Sequence, residues 1–106
     1  MAKKGGAAEE GPKILVENVN VPGYTHPVDA AHYEAMKKTL LKVLPKAAPG
    51  LTQTEMWTKL AQVADRTMFP DHGKVGWWMK AVQLDLEAKG VLVRDKGAKP
   101  LRWRLK

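Results

Sequence analysis

Cysteine and serine are both missing from this 106-residue chain. Without cysteine there are no disulfides, no thiolate zinc ligands, no iron–sulfur clusters and no thiol nucleophile. Without serine there is no serine nucleophile. No apolar run approaches the roughly 20 residues of a membrane span. The amino terminus, MAKKGGAAEEGP, carries two lysines with no apolar stretch behind them, so no secretory signal is expected. These absences predict an intracellular, cytoplasmic protein that does not enter a membrane.

What is present describes one small globular domain. Hydrophobic residues make up 44% and charged residues 27% of the chain, a balance typical of water-soluble domains. A domain this size buries a smaller share of its surface than a large enzyme does, so a deep active site would compete with the core. Eighteen Lys and Arg stand against eleven Asp and Glu, a net charge of +7. Residues 71–106 hold nine of the bases and four of the acids, so the excess gathers in the carboxy-terminal third. That points to a nucleic acid or another acidic surface as partner.

Residues 1–12 are small, polar and aperiodic, and are expected to be a flexible, disordered tail. Lys13–Glu17 (KILVE) suits an extended segment or edge strand. Pro22, Gly23 and Pro27 predict a loop over Asn18–Val28, so 13–28 is an extended amino-terminal arm. Three helices follow, in a domain spanning 29–106. The first runs from about Asp29, a plausible N-cap, to Leu44, with Tyr33, Met36, Leu40, Val43 and Leu44 at helical spacing. Thr52-Gln53-Thr54-Glu55 has the pattern of a capping box and opens the second, whose apolar side carries Met56, Trp57, Leu60, Val63 and Ala64. The third covers about Gly73 to Lys89, and Gly90 stands where a left-handed C-cap residue belongs.

The last sixteen residues change period. Val91-Leu92-Val93-Arg94 is β-prone, Lys96-Gly97-Ala98-Lys99-Pro100 is turn chemistry, and Leu101, Trp103 and Leu105 alternate with Arg102, Arg104 and Lys106. A β-hairpin results. The expected fold is mainly α with a small β-hairpin: three helices and a carboxy-terminal wing, a winged helix-turn-helix.

Several segments carry a resemblance to a family of small, uncharacterised bacterial proteins with a winged-helix-like fold. They are Glu17-Asn18-Val19-Asn20-Val21-Pro22-Gly23, Gly76-Trp77-Trp78-Met79-Lys80, Val82-Gln83-Leu84-Asp85-Leu86-Glu87-Ala88-Lys89-Gly90 and Lys99-Pro100-Leu101-Arg102-Trp103. The resemblance covers about Lys13 to Leu105 and implies a fold without an assigned activity. Winged helices as a class suggest DNA binding through the third helix and the wing, by analogy.

At 100° per residue, Val75, Trp78, Met79, Val82 and Leu86 of the third helix share one arc. Trp77, Ala81, Leu84 and Ala88 make a second apolar arc, and Gly76, Lys80, Gln83 and Glu87 the polar side. With that polar side in a major groove, Lys80 would reach a guanine edge or phosphate and Gln83 an adenine edge. Gly76 would let the backbone approach the duplex, and Lys74, Lys80 and Gln83 are the helix's expected DNA-binding residues. The alternative is an ordinary solvated face, and Asp85 and Glu87 would repel phosphates. In the hairpin, Arg94, Lys96, Lys99, Arg102, Arg104 and Lys106 are opposed only by Asp95. They would touch the phosphates flanking the groove or enter the minor groove, or else blunt an exposed sheet edge. Trp77 has three roles open to it: packing on the first helix, a patch for a second subunit or partner protein, or base stacking. Trp78, Trp57 and Trp103 fit core stripes. Glu34–Lys38, Glu55–Lys59 and Asp85–Lys89 read as helix-supporting pairs on solvated faces.

An enzyme finds little support. His26, Asp29 and His32 match no closed ligand set, so no metal or cofactor is expected. Gly73-Lys74 fails as a phosphate loop because Met68 and Val75 stand where its glycine and hydroxyl belong. Asp65, Asp71 and His72 share a loop in which Asp71 or His72 more simply begins the third helix. The leading expectation is a non-catalytic duplex-DNA-binding protein, in the manner of a transcriptional regulator. The alternative is a winged-helix interaction module that uses Trp77 and the 13–28 arm on a protein partner or second copy.

Overall fold

The computed structural model describes residues 11–106; the expected tail therefore lies, apart from Gly11 and Pro12, outside the described residues. Residues 11–106 fold into three helices and two small antiparallel sheets. In order these are β1 (Lys13–Glu17), β2 (Thr25–Asp29), α1 (Ala30–Val43), β3 (Leu51–Thr52), α2 (Gln53–Val63), α3 (His72–Ala88), β4 (Leu92–Asp95) and β5 (Arg102–Leu105). β1 and β2 pair with each other, and the second sheet has the order β3-β5-β4.

The helix boundaries follow from local chemistry. Asp29 caps α1 by accepting from the His32 backbone N–H at 2.9 Å. At α2 the capping box is complete, with Thr52 Oγ1 accepting from Glu55 N and Glu55 Oε1 from Thr52 N. Asp71 caps α3 by accepting from Lys74 N. The far end of α3 is a Schellman turn. Gly90, at φ +78°, donates to the Glu87 carbonyl while Val91 donates to that of Leu86.

Two strands depart from the expectation. Residues 25–29 form β2 rather than loop, and Leu51–Thr52 adds a third strand to the carboxy-terminal sheet. Pro27 argues against a strand in the sequence because it cannot donate to a ladder. The register resolves this. Pro27 stands opposite Leu15 and Thr25 opposite Glu17. The Glu17 N–H points away from β2, donating to Asp85 Oδ1 at 2.8 Å. Glu17, Leu15 and their partners therefore occupy the non-hydrogen-bonded positions, where a proline costs the ladder nothing.

The core lies among the three helices. Met36 and Leu40 of α1, Met56 and Leu60 of α2, and Met79, Val82 and Leu86 of α3 are buried together, with Leu92 and Trp103 closing one end and Val16 and Val28 another. Each such side chain contributes roughly 1.5–3 kcal/mol by leaving water. The amino-terminal hairpin is pinned by Val16 and Val28 and by a buried polar anchor. Fully buried Asp85 accepts from Glu17 N, from the Tyr33 hydroxyl and from Lys89 Nζ, tying β1, α1 and α3 together. Burial, and then the hydrogen bond to Asp85, raise the pKa of the Tyr33 hydroxyl.

Candidate nucleic-acid interface

Packing divides α3 into faces that a helical wheel does not resolve. Val75, Met79, Val82 and Leu86 point into the core, as the period requires. Gln83, assigned above to the polar reading face, is only 2% exposed. Its Nε2 donates to Gln53 Oε1 at 3.2 Å, and its own Oε1 finds no partner among the described residues. Buried against α2, Gln83 does not reach a base edge. Asp85, paired with Lys89 as expected, is the anchor inside the protein rather than part of a solvated face. Gly76 faces Trp57 of α2, whose indole nitrogen would lie 3.4 Å from an added Cβ, an ordinary van der Waals contact. Trp78 is partly buried, stacked on His32 at 5.3 Å and edge-on to Phe69.

The surface of α3 that does face solvent carries Lys74, Trp77 and Lys80, with Ala81 and Leu84 half-exposed beside them. Trp77 is 53% exposed and packs edge-on against Trp78. Alongside runs a groove of about 220 Å³ between α3 and the β1–β2 hairpin, lined among others by Val16, Tyr24, His26, Trp77, Lys80 and Leu84. Tyr24 and His26 stack at 6.4 Å to form the hairpin wall. The sequence contains a signal for this groove in its second apolar arc, but not which elements cover that arc.

The β4–β5 hairpin divides its bases between two faces. Arg94 stands opposite Trp103 in the register and so shares the inward face. Its guanidinium donates to both carboxylate oxygens of Glu87, from Nε at 2.8 Å and Nη2 at 3.0 Å, and lies over the Trp103 ring. The expected phosphate contact from Arg94 is thus committed inside the protein. Arg102 is half-buried, donating to the Gly50 carbonyl at 3.0 Å and to Glu55 Oε1 at 3.3 Å. Arg104 is half-buried on the same outward face, while Lys96 and Lys99 in the turn and Lys106 at the end are exposed. Leu101 does not join Trp103 in the core; it precedes β5 and is exposed.

The acids are more constrained than the bases. Asp85 and Glu87 are inside, and Asp29, Glu55 and Asp71 cap helices. Among the described residues, the Lys and Arg side chains that form ion pairs are Lys89, Arg94 and Arg102. Lys74, Lys80, Lys96 and Lys99 are exposed and form no ion pair among the described residues. His32 is held by Asp29 at 2.6 Å and by the Met68 carbonyl at 3.1 Å, while His26 stacks on Tyr24. The His32 side chain, and then its backbone N–H, lower the pKa of the Asp29 carboxyl.

No curated protein and no solved structure matches the chain. A family match runs from the first residue of β1 into β5, taking in the groove and most of the basic hairpin. Residues 13–103 fit the model of DUF6958, a family of unknown function, and the chain belongs to that family.

Proposed function

We propose that this chain is a cytoplasmic winged-helix protein that binds duplex DNA without catalysis, chiefly through phosphate contacts. The observation that carries the reading is topological. The order α1-β3-α2-α3-β4-β5 with strand order β3-β5-β4 supports a winged-helix reading, and the turn of the last hairpin bears Lys96 and Lys99. In such folds the helix before the hairpin enters the major groove and the hairpin flanks it. The contacts proposed are Lys74 and Lys80 on α3 with Lys96, Lys99 and Arg104 on the hairpin. Arg102 adds a weaker contribution because it also holds Glu55 and the Gly50 carbonyl.

This set supports affinity more than sequence reading. Phosphate contacts position a protein on DNA, whereas base-edge contacts specify the site. With Gln83 buried, the outward face of α3 offers two lysines beside an apolar strip. The binding expected is therefore broad in sequence and steep in salt.

The test is fluorescence anisotropy with a labelled random duplex of about 25 base pairs, titrated at several salt concentrations. Affinity near the micromolar end of the roughly 10⁻⁴–10⁻⁶ M range of non-specific complexes, falling steeply with salt, supports the proposal. Absence of binding at low salt overturns it.

A further inference from the structure

We propose that the groove between the β1–β2 hairpin and helix α3 docks an acidic amphipathic helix of a partner protein. This inference does not rest on DNA binding, and its basic rim, Lys74 and Lys80, is shared with the proposed duplex contacts. Its floor is apolar, formed by Val16, Ala81 and Leu84, and its walls are aromatic, with Tyr24 and His26 on one side and Trp77 on the other. Two of those aromatics remain about half exposed, Tyr24 at 47% and Trp77 at 53%. Exposed aromatics flanking a concave apolar strip mark a contact surface rather than an unfinished core.

The dimensions favour inserted side chains over a small-molecule ligand. At about 220 Å³ the groove is smaller than the roughly 300–1,000 Å³ of ligand pockets. The hairpin also discourages strand addition. Pro27 leaves a gap in the donors along the outer edge of β2, and the outward Glu17 N–H of β1 is already given to Asp85. A helix satisfies its own backbone and needs only pockets for residues spaced i, i+3 or i+4, and i+7.

Charge selects the kind of helix. Lys80 lines the groove and Lys74 stands one turn before Trp77, both exposed and outside any ion pair among the described residues. Among the described residues the groove has one acid in its lining, Glu17, whose carboxylate lies 3.8 Å from Lys89 Nζ. A second copy of this chain would bring the same +7 charge and the same lysines to the interface. An acidic helix complements both the apolar floor and the basic rim.

The experiment is a titration of the ¹⁵N-labelled full chain, followed by amide and indole shifts, with a designed helical peptide of about 16 residues carrying Leu and Phe on one face and Glu on the other. Its counterpart with Lys for every Glu is the control. The proposal expects shifts concentrated at the Trp77 indole, Val16, Ala81 and Leu84, with the Lys peptide about tenfold weaker or worse. Trp77→Ala should weaken the Glu peptide by about tenfold while leaving duplex binding in place. Lys80→Glu, at an exposed position that does not threaten folding, should shift preference towards the Lys peptide. Equal binding of the two peptides, shifts centred elsewhere, or no binding by the Glu peptide overturns the proposal. Weakened duplex binding in a Lys96→Ala/Lys99→Ala variant that still takes the peptide distinguishes failure of the DNA reading from failure of the docking proposal.

Discussion

Arg94 and Glu87 form a two-pronged ion pair across the junction of β4 and α3, with the Glu87 side chain 4% and the Arg94 side chain 17% exposed. The pair sits over Trp103, so it joins the basic hairpin to the helix that precedes it. Removing one partner strands the other charge in a nearly dry site. Arg94→Ala is therefore expected to destabilise the protein by about 3–5 kcal/mol, read as a lower urea midpoint. It should leave the salt dependence of duplex binding unchanged. Replacing Lys96, Lys99 and Arg104 together with Ala should do the reverse, flattening the logarithmic salt slope by about 2 to 3 with little change in stability.

Asp85 presents a similar contrast within one site. Its carboxylate holds three donors from three elements. Asp85→Ala is expected to cost about 3–5 kcal/mol, because a lysine, a hydroxyl and a backbone N–H all lose their acceptor. Tyr33→Phe removes one hydrogen bond and keeps the ring packed, so about 0.5–1.5 kcal/mol is expected. Urea unfolding of both variants checks the ranking.

Gln83 separates the sequence-based expectation from the structural one. Were it a base reader, its replacement would change sequence preference. Buried with an unpartnered Oε1, it should instead accept Met with a stability change within about 1 kcal/mol, since the lost bond to Gln53 is offset by removal of a dry polar atom. Selection of duplexes from a random pool by the wild type and Gln83→Met should then return the same preferences.

Acid should unfold the protein partly through its helix caps. The Asp29 carboxyl is held below the ordinary carboxylate range by His32, and that of Glu55 by the Thr52 backbone N–H and then by nearby Arg102. A folded-state pKa below the unfolded one gives stability that is full above the unfolded value. That stability is lost as pH falls through the folded value. The urea midpoint should thus be level at neutral pH and decline below about pH 5. Asp29→Asn keeps an N-cap acceptor without a titrating group, and should make the decline shallower.

The helices were legible in the sequence because their signals are local. An aspartate or a threonine–glutamate pair at the start and a glycine at the end satisfy backbone groups within one turn, so neighbours along the chain suffice to identify them. The β4–β5 hairpin was legible for the same reason, through alternation and turn residues. β2 and β3 were not. β2 depends on which register places Pro27 where no donor is needed, and the two residues of β3 are too few to show a period.

The candidate site was legible as a list and not as a surface. Composition and order along the chain determined a small, basic, cysteine-free domain of three helices and a hairpin. Tertiary packing decided which charges remained available. Gln83 and Lys80 lie three residues apart on α3, yet α2 covers the first and solvent meets the second. Arg94 and Arg104 both belong to the basic hairpin, but the pleat and the position of Glu87 turn one inward. A helical or strand period says which residues share a face. Only the neighbouring elements, brought together from distant parts of the chain, determine whether that face meets protein or water.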